Sequence, residues 1–504
     1  MAGSQAPTEG GFGSGLEERA AGRCGYLLIG LCVLAAVAGA AIRIRAAMND
    51  LWLDEIWSLH MARGVSSPLA ILTGIHHDNN HYLNTFFLWL FRDHGNWPGF
   101  RALSIAAGAG TVAVAGLIGV RRSRAAALIL MLLTAFSYVL VLYSSEARGY
   151  SPVVFFSLLC FLLLSRYLDS LNWRWAALFS LSAVLGSLSH LVFVHFYLAA
   201  LAWSAYRLGR RGLRAKSFLG DLGMCHTVPL LFLAFLYWVD VRRIVVGGGT
   251  ISSTLITFRQ TAVSYGQALA WAMGTAAPDW LGLLMALAAI LFLIAGIRLL
   301  RREKSDAWLL FGGAILIVPV LLLVLKRPNA LYARYFVIPI VFALVLTGYC
   351  LGSLYERGGW KRALCVAFMA VYLAVNGWHI GELFSLGRGQ YRQAISFLTA
   401  YSRSKPVTVG GDHDFRIPAV LFFHAQEMRV GDQIRYYPRD AWPQRGPEWV
   451  IMHKESVLEA APAHAEFVDG SGNRYDFVKA FPSAPLSGLH WFVYHNSAYA
   501  AGAP

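Results

Sequence analysis

The sequence has little charge for its length. Asp, Glu, Lys and Arg together make up 14% of the 504 residues, whereas hydrophobic residues make up 57% and the mean hydropathy is +0.51. Soluble proteins carry about 25% charged residues. The apolar residues are concentrated in many runs, each long enough to cross the roughly 30 Å hydrocarbon core as a helix. This composition excludes an ordinary soluble globular protein and predicts a polytopic membrane protein.

Acidic residues are the scarcer charged class, because 28 Asp and Glu stand against 43 Lys and Arg and leave a net charge of +15. Such an excess could indicate nucleic-acid binding, but the sequence has no basic surface stretch interleaved with aromatic residues. The basic residues instead form clusters between apolar runs, as they do in the cytoplasmic loops of membrane proteins. We therefore expect no nucleic acid among the partners.

Cysteines are also few and follow no disulfide pattern. All six lie in or beside apolar runs, and none follows Cys365. A disulfide framework is therefore not expected, and cysteine usage does not identify the compartment.

Eleven apolar runs could span a membrane: residues 25–43, 101–120, 125–143, 150–166, 174–190, 191–207, 225–241, 279–298, 307–325, 335–354 and 362–380. The basic clusters fall on one side of these runs, which the positive-inside rule makes cytoplasmic: 121–124, 207–216, 298–304 and 356–362. An odd number of spans then places the N-terminus in the cytoplasm and the C-terminus outside. We expect a multi-pass protein of the inner (plasma) membrane.

The spans divide the chain into three regions. Residues 1–23 are Gly-rich and polar and predict a disordered cytoplasmic tail, whereas residues 24–384 hold the spans and a long outer loop at 44–100. Residues 385–504 carry turn residues, charges, a helix candidate at 417–426 and strand-like runs such as VTVG and WFVY. The mixture predicts a small extracytoplasmic α/β domain, so the fold class is mainly α with a C-terminal α/β addition.

Polar side chains collect at the outer ends of the spans. The stretch LWLDEIWS at 51–58 places Asp54 and Glu55 side by side, and its Leu and Trp residues predict a short helix anchored at the membrane interface. Further groups lie in HHDNNHYLN (76–84), in YSSEARGYS (143–151), at His190 and in KRPNALYARYF (326–336). Ionisable residues near a bilayer are costly and usually functional.

Each of these groups also has a structural interpretation. A single acid can be an ordinary loop residue, the histidines at 76, 77 and 81 can be surface residues or metal ligands, and Arg43 and Arg45 can be residues that snorkel to the membrane interface. Acids and arginines at one membrane face nevertheless meet two chemical demands together. A carboxylate can take a proton from an attacking hydroxyl, and arginines can hold a phosphate leaving group.

Three of the motifs resemble those of the polyprenyl-phosphate-sugar-dependent membrane glycosyltransferases of the GT-C fold, which include the protein O-mannosyltransferases and the bacterial aminoarabinose transferases of family 39 type. The LDE sequence resembles the acidic motif of their first outer loop, EARGYS their Glu-Ala-Arg-x-Tyr pattern, and ARYF their late Arg-Tyr motif. The order and side of these motifs agree over most of residues 25–380. HHDNNHYLN stands where many members have a His-Pro-Pro-Leu-Tyr-Tyr-like segment.

The resemblance implies roles for individual residues. Asp54 would be the general base or acceptor-orienting acid, supported by Glu55, and Asp78 a second acid in the same loop. Arg148 and Arg334 would contact the donor phosphate, with Lys326 or Arg327 nearby. Glu146 would position Arg148, and a further set would support the site: His81, Tyr82 and His190. Some members bind a divalent metal in this loop, so a metal ion at Asp54 and Asp78 stays open and no other cofactor is expected.

Two departures from the family pattern affect these assignments. Asn79 and Asn80 stand where prolines are common, and no lysine follows the acid as it does in the aminoarabinose enzymes. The resemblance therefore predicts an inverting transferase that moves a sugar from a polyprenyl-phosphate donor to a glycan, lipid or protein acceptor of the cell envelope, on the outer face of the membrane. It does not name the sugar or the acceptor.

Two other function classes remain open. A lipid-linked-sugar flippase or transporter would place ionisable residues near the middle of the membrane and would contain broken helices. An undecaprenyl-linked oligosaccharide polymerase or ligase would use large late outer loops rich in arginine, whereas this chain places its acids in the first loop.

Overall fold

The apolar runs form helices that pack into one bundle. The computed structural model describes residues 13–92, 96–212, 214–245, 257–276, 278–326, 331–455 and 461–499. Within these residues, eight helices are long and apolar enough to cross a membrane, and a bent pair makes a ninth. The protein is therefore a multi-pass membrane protein, as the hydropathy predicts.

The helices follow one another in chain order. The first helix and the four helices of the following loop are α1 Gly13–Ala46, α2 Leu53–Gly64, α3 Pro68–Thr73, α4 Tyr82–Phe91 and α5 Trp97–Phe100. The bundle continues with α6 Ala102–Val120, α7 Arg124–Phe136, α8 Tyr138–Ser144, α9 Tyr150–Ser170, α10 Trp173–Ser189, α11 Phe193–Gly209, α12 Ala215–Val239, α13 Phe258–Ala272, α14 Asp279–Arg302, α15 Trp308–Gly312, α16 Val318–Lys326, α17 Val337–Glu356 and α18 Gly359–Leu386. A π-helix, Gly313–Ile317, joins α15 to α16.

The boundaries of the bundle differ from the prediction in several places. Helices α10 and α11 occupy the predicted runs 174–190 and 191–207 but have only 17 residues each. Helix α13 lies in a segment that carries no predicted span. Helix α1 begins at Gly13, inside the stretch predicted as a disordered tail, because the run LEERAAG continues the helix toward the N-terminus; residues 1–12 lie outside the described part of the chain.

One predicted span is broken. Helices α7 and α8 share the run 125–143, but they are bent by 59° at Ser137. The Tyr138 N–H donates to Asn376 Oδ1 (2.8 Å), and Arg43 donates to the carbonyls of Thr134 (2.9 Å) and Ala135 (3.2 Å), so the backbone groups freed by the bend have partners. Arg43 is fully buried. The interpretation that it snorkels is wrong, because its guanidinium fills the break in α7–α8.

The C-terminal region forms a small mixed sheet. After helix α19 Tyr391–Tyr401, the elements are β1 Val407–Gly411, α20 Arg416–Glu427, β2 Ile434–Tyr436, β3 Trp449–Lys454, β4 Glu466–Val468, β5 Arg474–Phe481 and β6 His490–Asn496. The strand order is β2-β1-β3-β6-β5-β4, with β1 parallel to β2 and β3 and the other pairs antiparallel. The predicted α/β domain is confirmed, and its helix candidate is α20.

The sheet domain shares its core with α2. Buried side chains of α19, α20 and the sheet form one cluster with Leu51, Leu53, Ile56 and Leu59. The apolar side of LWLDEIWS therefore packs on protein, and the predicted anchoring of this helix at the membrane interface is wrong. His424 Nε2 lies 2.9 Å from the Leu51 carbonyl oxygen, and Phe415 packs on Trp57 with 4.8 Å between ring centroids. The sheet domain thus fixes the position of the helix that carries Asp54.

Candidate functional site

A carboxylate between two arginines forms the centre of the site. Asp54 Oδ2 lies 2.6 Å from Arg148 Nη1 and 3.2 Å from Arg334 Nη1. The three residues come from α2, from the loop between α8 and α9, and from the 3-10 turn Ala333–Phe336 before α17. The Asp54 side chain is 16% exposed, so a ligand can reach it. The structure thus brings together three residues that lie far apart in sequence and that the motifs predict.

Aromatic rings hold the two guanidinium groups in place. Arg334 Cζ lies 4.4 Å from the ring centroid of Tyr332 and 5.6 Å from that of Trp52. Arg148 Cζ lies 5.0 Å from the ring centroid of Tyr150. A cation on an aromatic face is stabilised without losing its N–H donors. Both arginines can therefore keep donors for an anion while they pair with Asp54.

Asn79 connects Arg148 to the helix that carries Asp54. Its Oδ1 accepts a hydrogen bond from Arg148 Nη2 (2.5 Å), and its Nδ2 donates to the Asp54 carbonyl oxygen (3.0 Å) and to Ser58 Oγ (3.0 Å). A proline at this position, which has no side-chain amide, could not make these contacts. Asn79 departs from the motif that the sequence resembles, and the motif does not indicate its contact with Arg148.

The segment that carries Arg148 is held from several sides. Asn84 Nδ2 donates to the Ala147 carbonyl oxygen (2.7 Å), and Ser104 Oγ donates to the Arg148 carbonyl oxygen (3.0 Å). The next residue, Gly149, has no room for a side chain, because an added Cβ would lie 1.9 Å from the Ser189 carbonyl oxygen. These contacts fix the direction in which the Arg148 side chain leaves the backbone.

Glu55 points away from the site that Asp54 faces. It is fully buried, and its carboxylate accepts two hydrogen bonds from Arg101 (2.7 and 2.6 Å) and one from the Ala147 N–H (2.7 Å). Burial raises the pKa of Glu55, but the charge and hydrogen bonds of Arg101 outweigh this effect and hold the pKa below its ordinary value. Consecutive residues on a helix lie about 100° apart, so the paired acids face different surroundings. Glu55 therefore holds the Arg148 segment through the Ala147 N–H, on the side away from Asp54.

Glu146 pairs with a residue that the sequence analysis did not consider. Arg388 Nη1 lies 3.2 Å from Glu146 Oε2, and Arg388 Nη2 donates to the Leu142 carbonyl oxygen (2.6 Å). Both residues are buried, and burial raises the pKa of Glu146 although Arg388 and Arg148 lower it. The Glu146 carbonyl oxygen accepts a hydrogen bond from the Arg148 N–H (2.9 Å), but among the described residues its carboxylate pairs with Arg388 and not with Arg148. This ion pair joins the bundle to the start of the sheet domain. The sequence signal is GRGQ at 387–390, where glycines with positive φ flank the buried arginine.

Asp78 is exposed, unlike Asp54. One of its carboxylate oxygens lies 3.0 Å from His77 Nδ1. The loop around it is tied to the end of α12, where Asp240 accepts a hydrogen bond from Tyr82 Oη (2.5 Å) and contacts His76 Nδ1. Burial and Asp240 raise the pKa of Tyr82 above its ordinary value, so this phenol stays protonated. Tyr82 thus acts on the loop through Asp240, a fully buried residue that the motifs did not indicate.

Two predicted cations cannot be placed. Arg327 and the side chain of Lys326 lie outside what the structure describes. The described ranges also contain no group of three or more His, Cys, Asp or Glu residues placed to hold a metal ion. Asp54 Oδ2 already contacts the guanidinium groups of Arg148 and Arg334. Two neighbouring positive charges make this carboxylate a poor ligand for a divalent cation.

Unpartnered hydrogen-bond donors surround the Asp54 pair. Four buried N–H groups near it have no hydrogen-bond partner among the described residues: Trp52 Nε1, His81 Nε2, Arg148 Nε and Arg334 Nε. Buried donors are normally satisfied, and each one left without a partner costs about 1–3 kcal/mol. A concentration of such donors beside two cations is suited to an anionic ligand.

Comparisons with known proteins agree with this architecture. No protein-family model and no curated protein matches the sequence. Among solved structures, ArnT from Cupriavidus metallidurans in the apo state matches with a TM-score of 0.51 and 14% identity, over 96% of this chain and all of that chain. ArnT from the same organism bound to undecaprenyl phosphate matches with a TM-score of 0.50 and 14% identity, over 95% of this chain and 99% of that chain. The chain therefore has an ArnT-like fold of the GT-C type, from its first membrane helix to its C-terminal sheet domain.

Proposed function

We propose that the protein is an inverting glycosyltransferase that uses a sugar linked to polyprenyl phosphate. The observation that carries the proposal is the pairing of Asp54 with Arg148 and Arg334 at one end of the membrane helices. Two arginines and one carboxylate carry one net positive charge. A sugar phosphodiester carries one negative charge, so the site and the donor are complementary.

The donor phosphate would replace Asp54 as the partner of the arginines. Its oxygens would take the guanidinium donors, which frees the carboxylate to accept a proton. The acceptor hydroxyl then attacks the anomeric carbon from the face opposite the phosphate. The new C–O bond forms, the bond between the anomeric carbon and the phosphate oxygen breaks, the phosphate leaves with the electron pair, and the hydroxyl proton passes to Asp54. A single displacement of this kind inverts the anomeric configuration.

The arginines would act most strongly as the bond breaks. The leaving phosphate monoester carries more negative charge than the phosphodiester donor, so both guanidinium groups bind it more tightly in the transition state than in the ground state. Undecaprenyl phosphate in the similarly folded ArnT supports a polyprenyl carrier for this chain. We propose further that the N-terminus is cytoplasmic, that the site and the sheet domain face the outside of the inner membrane, and that the acceptor is an envelope glycan, lipid or protein.

One observation favours a transporter as a second candidate. The break between α7 and α8 and the fully buried Arg43 are features of helices that bind an ion or substrate within the membrane. All the hydrogen bonds of Arg43, however, go to the protein: to Ser144 Oγ (3.1 Å) and to three backbone carbonyl oxygens. A guanidinium with these partners stabilises the break and has little capacity for cargo.

The test is a transfer assay with the purified full-length protein in lipid vesicles. Labelled undecaprenyl-phosphate sugars, labelled undecaprenyl-linked oligosaccharides and a membrane-glycan extract are supplied, and the wild type is compared with Asp54→Asn. The matched control is Asp169→Asn, because Asp169 also contacts two arginines, Arg121 (2.5 Å) and Arg207 (2.6 Å), at the other end of the helices. We expect transfer of label in the wild type and the control and its loss in Asp54→Asn.

Other outcomes would reject the proposal. If label moves to the opposite leaflet and no acceptor is labelled, the protein is a flippase. If only oligosaccharide donors are used and the products form a ladder, it is a polymerase or ligase. Full transfer by Asp54→Asn would show that this carboxylate is not the base.

A further inference from the structure

We propose that His81 and His190 bind the donor phosphate as neutral imidazoles, each through its Nε2–H. This inference rests on the proposed function, because it assigns further ligands to the same phosphate. It adds hydrogen-bond donors to the site without adding charge.

A backbone contact fixes the tautomer of His81. The Gly149 N–H donates to His81 Nδ1 at 3.0 Å. A nitrogen that accepts a hydrogen bond carries the lone pair, so in the neutral ring the proton must be on Nε2. That Nε2 is one of the buried donors without a partner, and the residue is only 3% exposed.

His190 makes the same kind of backbone contact through Nδ1, although its side chain is only partly buried. It follows the last residue of α10, and its Nδ1 accepts the Val192 N–H at 3.0 Å, which again leaves the proton on Nε2. The ring centroids of His81 and His190 are 4.5 Å apart, and each ring also contacts Tyr150, which packs under Arg148. Two backbone N–H groups thus orient two neighbouring imidazoles beside an arginine of the site.

The surroundings keep both rings neutral. Burial lowers the pKa of His81 well below its ordinary value, and the charges of His190, Arg148 and Arg334 lower it further. Burial, the two arginines and His195 likewise lower the pKa of His190 to about 3, against a small opposing effect of Asp78. At neutral pH each ring therefore offers one N–H in a fixed direction.

The fixed tautomer also determines the kind of ligand. A metal ion would need the Nε2 lone pair of a neutral ring, so the proton would move to Nδ1 and face the Gly149 N–H at 3.0 Å. An anion needs no such rearrangement. In the proposed reaction the anion that binds Arg148 and Arg334 is the donor phosphate, so its oxygens are the expected acceptors for the two Nε2–H groups. Hydrogen bonds to charged groups are about twice as strong as neutral ones.

Paired substitutions separate the two nitrogens of each ring. In His81→Asn the amide oxygen can replace Nδ1 as acceptor of the Gly149 N–H, whereas the Nε2 donor is lost. In His81→Gln the amide N–H can replace the Nε2 donor, whereas the backbone contact is lost. The same pair at His190 repeats the test. His226→Asn controls for the loss of a buried imidazole, because within the described ranges the ring nitrogens of His226 contact Tyr197 and Ser204 and neither site arginine.

The readouts are the dissociation constant for undecaprenyl phosphate, with the full-length protein in nanodiscs, and the melting temperature. We expect His81→Asn and His190→Asn to weaken binding about 10- to 100-fold with little change in melting temperature. The Gln variants should bind within a few-fold of the wild type but melt earlier. Wild-type affinity in both Asn variants would overturn the inference, as would loss of wild-type binding on treatment with a chelator.

The results that would contradict the histidine inference differ from those that would contradict the proposed function. If the wild type transfers sugar and Arg148→Ala abolishes binding while both Asn variants bind normally, only the histidine inference is wrong. If Arg148→Ala binds normally and no donor is turned over, the phosphate site itself is wrong.

Discussion

Replacing Glu55 with Gln would separate the buried, ion-paired acid of the LDE motif from Asp54, the acid that we propose as the base. The change removes the negative partner of Arg101, whose side chain is fully buried. Removing one member of a buried ion pair costs about 3–5 kcal/mol, because the remaining charge is left in a low-dielectric environment. Arg101 keeps hydrogen bonds to the carbonyl oxygens of Ala47, Asn49 and Asp50, and the Gln amide oxygen can accept one more. We therefore expect Glu55→Gln to lower the free energy of unfolding by about 3 kcal/mol, at the lower end of this range.

The measurement is the free energy of unfolding of the full-length protein in mixed micelles, with Asp169→Asn as the control. Asp169 is 43% exposed, so loss of its ion pairs should cost less than about 1 kcal/mol. Transfer activity should also fall in Glu55→Gln, because the carboxylate holds the Ala147 N–H beside Arg148. Equal stability of the two variants would refute the assignment of Glu55 as a buried anchor.

The same carboxylate gives the protein a defined acid sensitivity. Burial opposes ionisation, but Arg101 holds the folded-state pKa of Glu55 below its ordinary value of 4.5. A group with a depressed folded-state pKa contributes stability above the ordinary value and loses it as the pH falls through the folded-state value. The melting temperature of the wild type should therefore fall once the pH drops below the ordinary value of 4.5 and passes through the lower folded-state pKa. The stability difference between wild type and Glu55→Gln should shrink over the same range; a constant difference would contradict the reasoning.

Two further substitutions test how the site is held. Gly149→Ala should lower both the melting temperature and transfer activity, since the added methyl would lie 1.9 Å from the Ser189 carbonyl oxygen; normal transfer and melting would show that the Arg148 segment can shift freely. Asp240→Asn should loosen the first outer loop, because a carboxylate shared by Tyr82 and His76 becomes a weaker acceptor. Proteolysis of the loop at a fixed protease concentration measures this, and an unchanged cleavage rate would reject the tether.

The sequence predicts the positions of the membrane helices and central strands better than the helix bend and the short strands. Apolar length and basic clusters determine where the membrane helices lie, because crossing a hydrocarbon core requires a minimum apolar run. They do not predict the bend between α7 and α8, which depends on Asn376 and Arg43, far from the break in sequence. The strand-like runs predict the central strands, but the three-residue strands β2 and β4 are too short for a pattern to form.

Motifs identify the centre of the site but not the partners of its members. Asp54, Arg148 and Arg334 come together as expected. The partner of Glu55 is Arg101, which lies 46 residues away in sequence, and the partner of Glu146 is Arg388, which lies 242 residues away. Nothing local distinguishes Asp54 from its neighbour Glu55, because both are acids in one helical turn. The tertiary partner decides which carboxylate faces a ligand and which is neutralised in the core.

The buried ion pairs also change how the sheet domain should be regarded. Residues 385–504 differ in composition from the bundle and suggest a separate unit, yet α2 packs into the core of the sheet domain and Arg388 joins that domain to Glu146. Without the domain, α2 would expose its apolar side and Glu146 would lose its cation. The free energy that holds Asp54 beside Arg148 therefore comes partly from the sheet domain. A substitution in that domain can therefore alter the proposed transfer reaction without touching the site, because the domain determines where α2 lies.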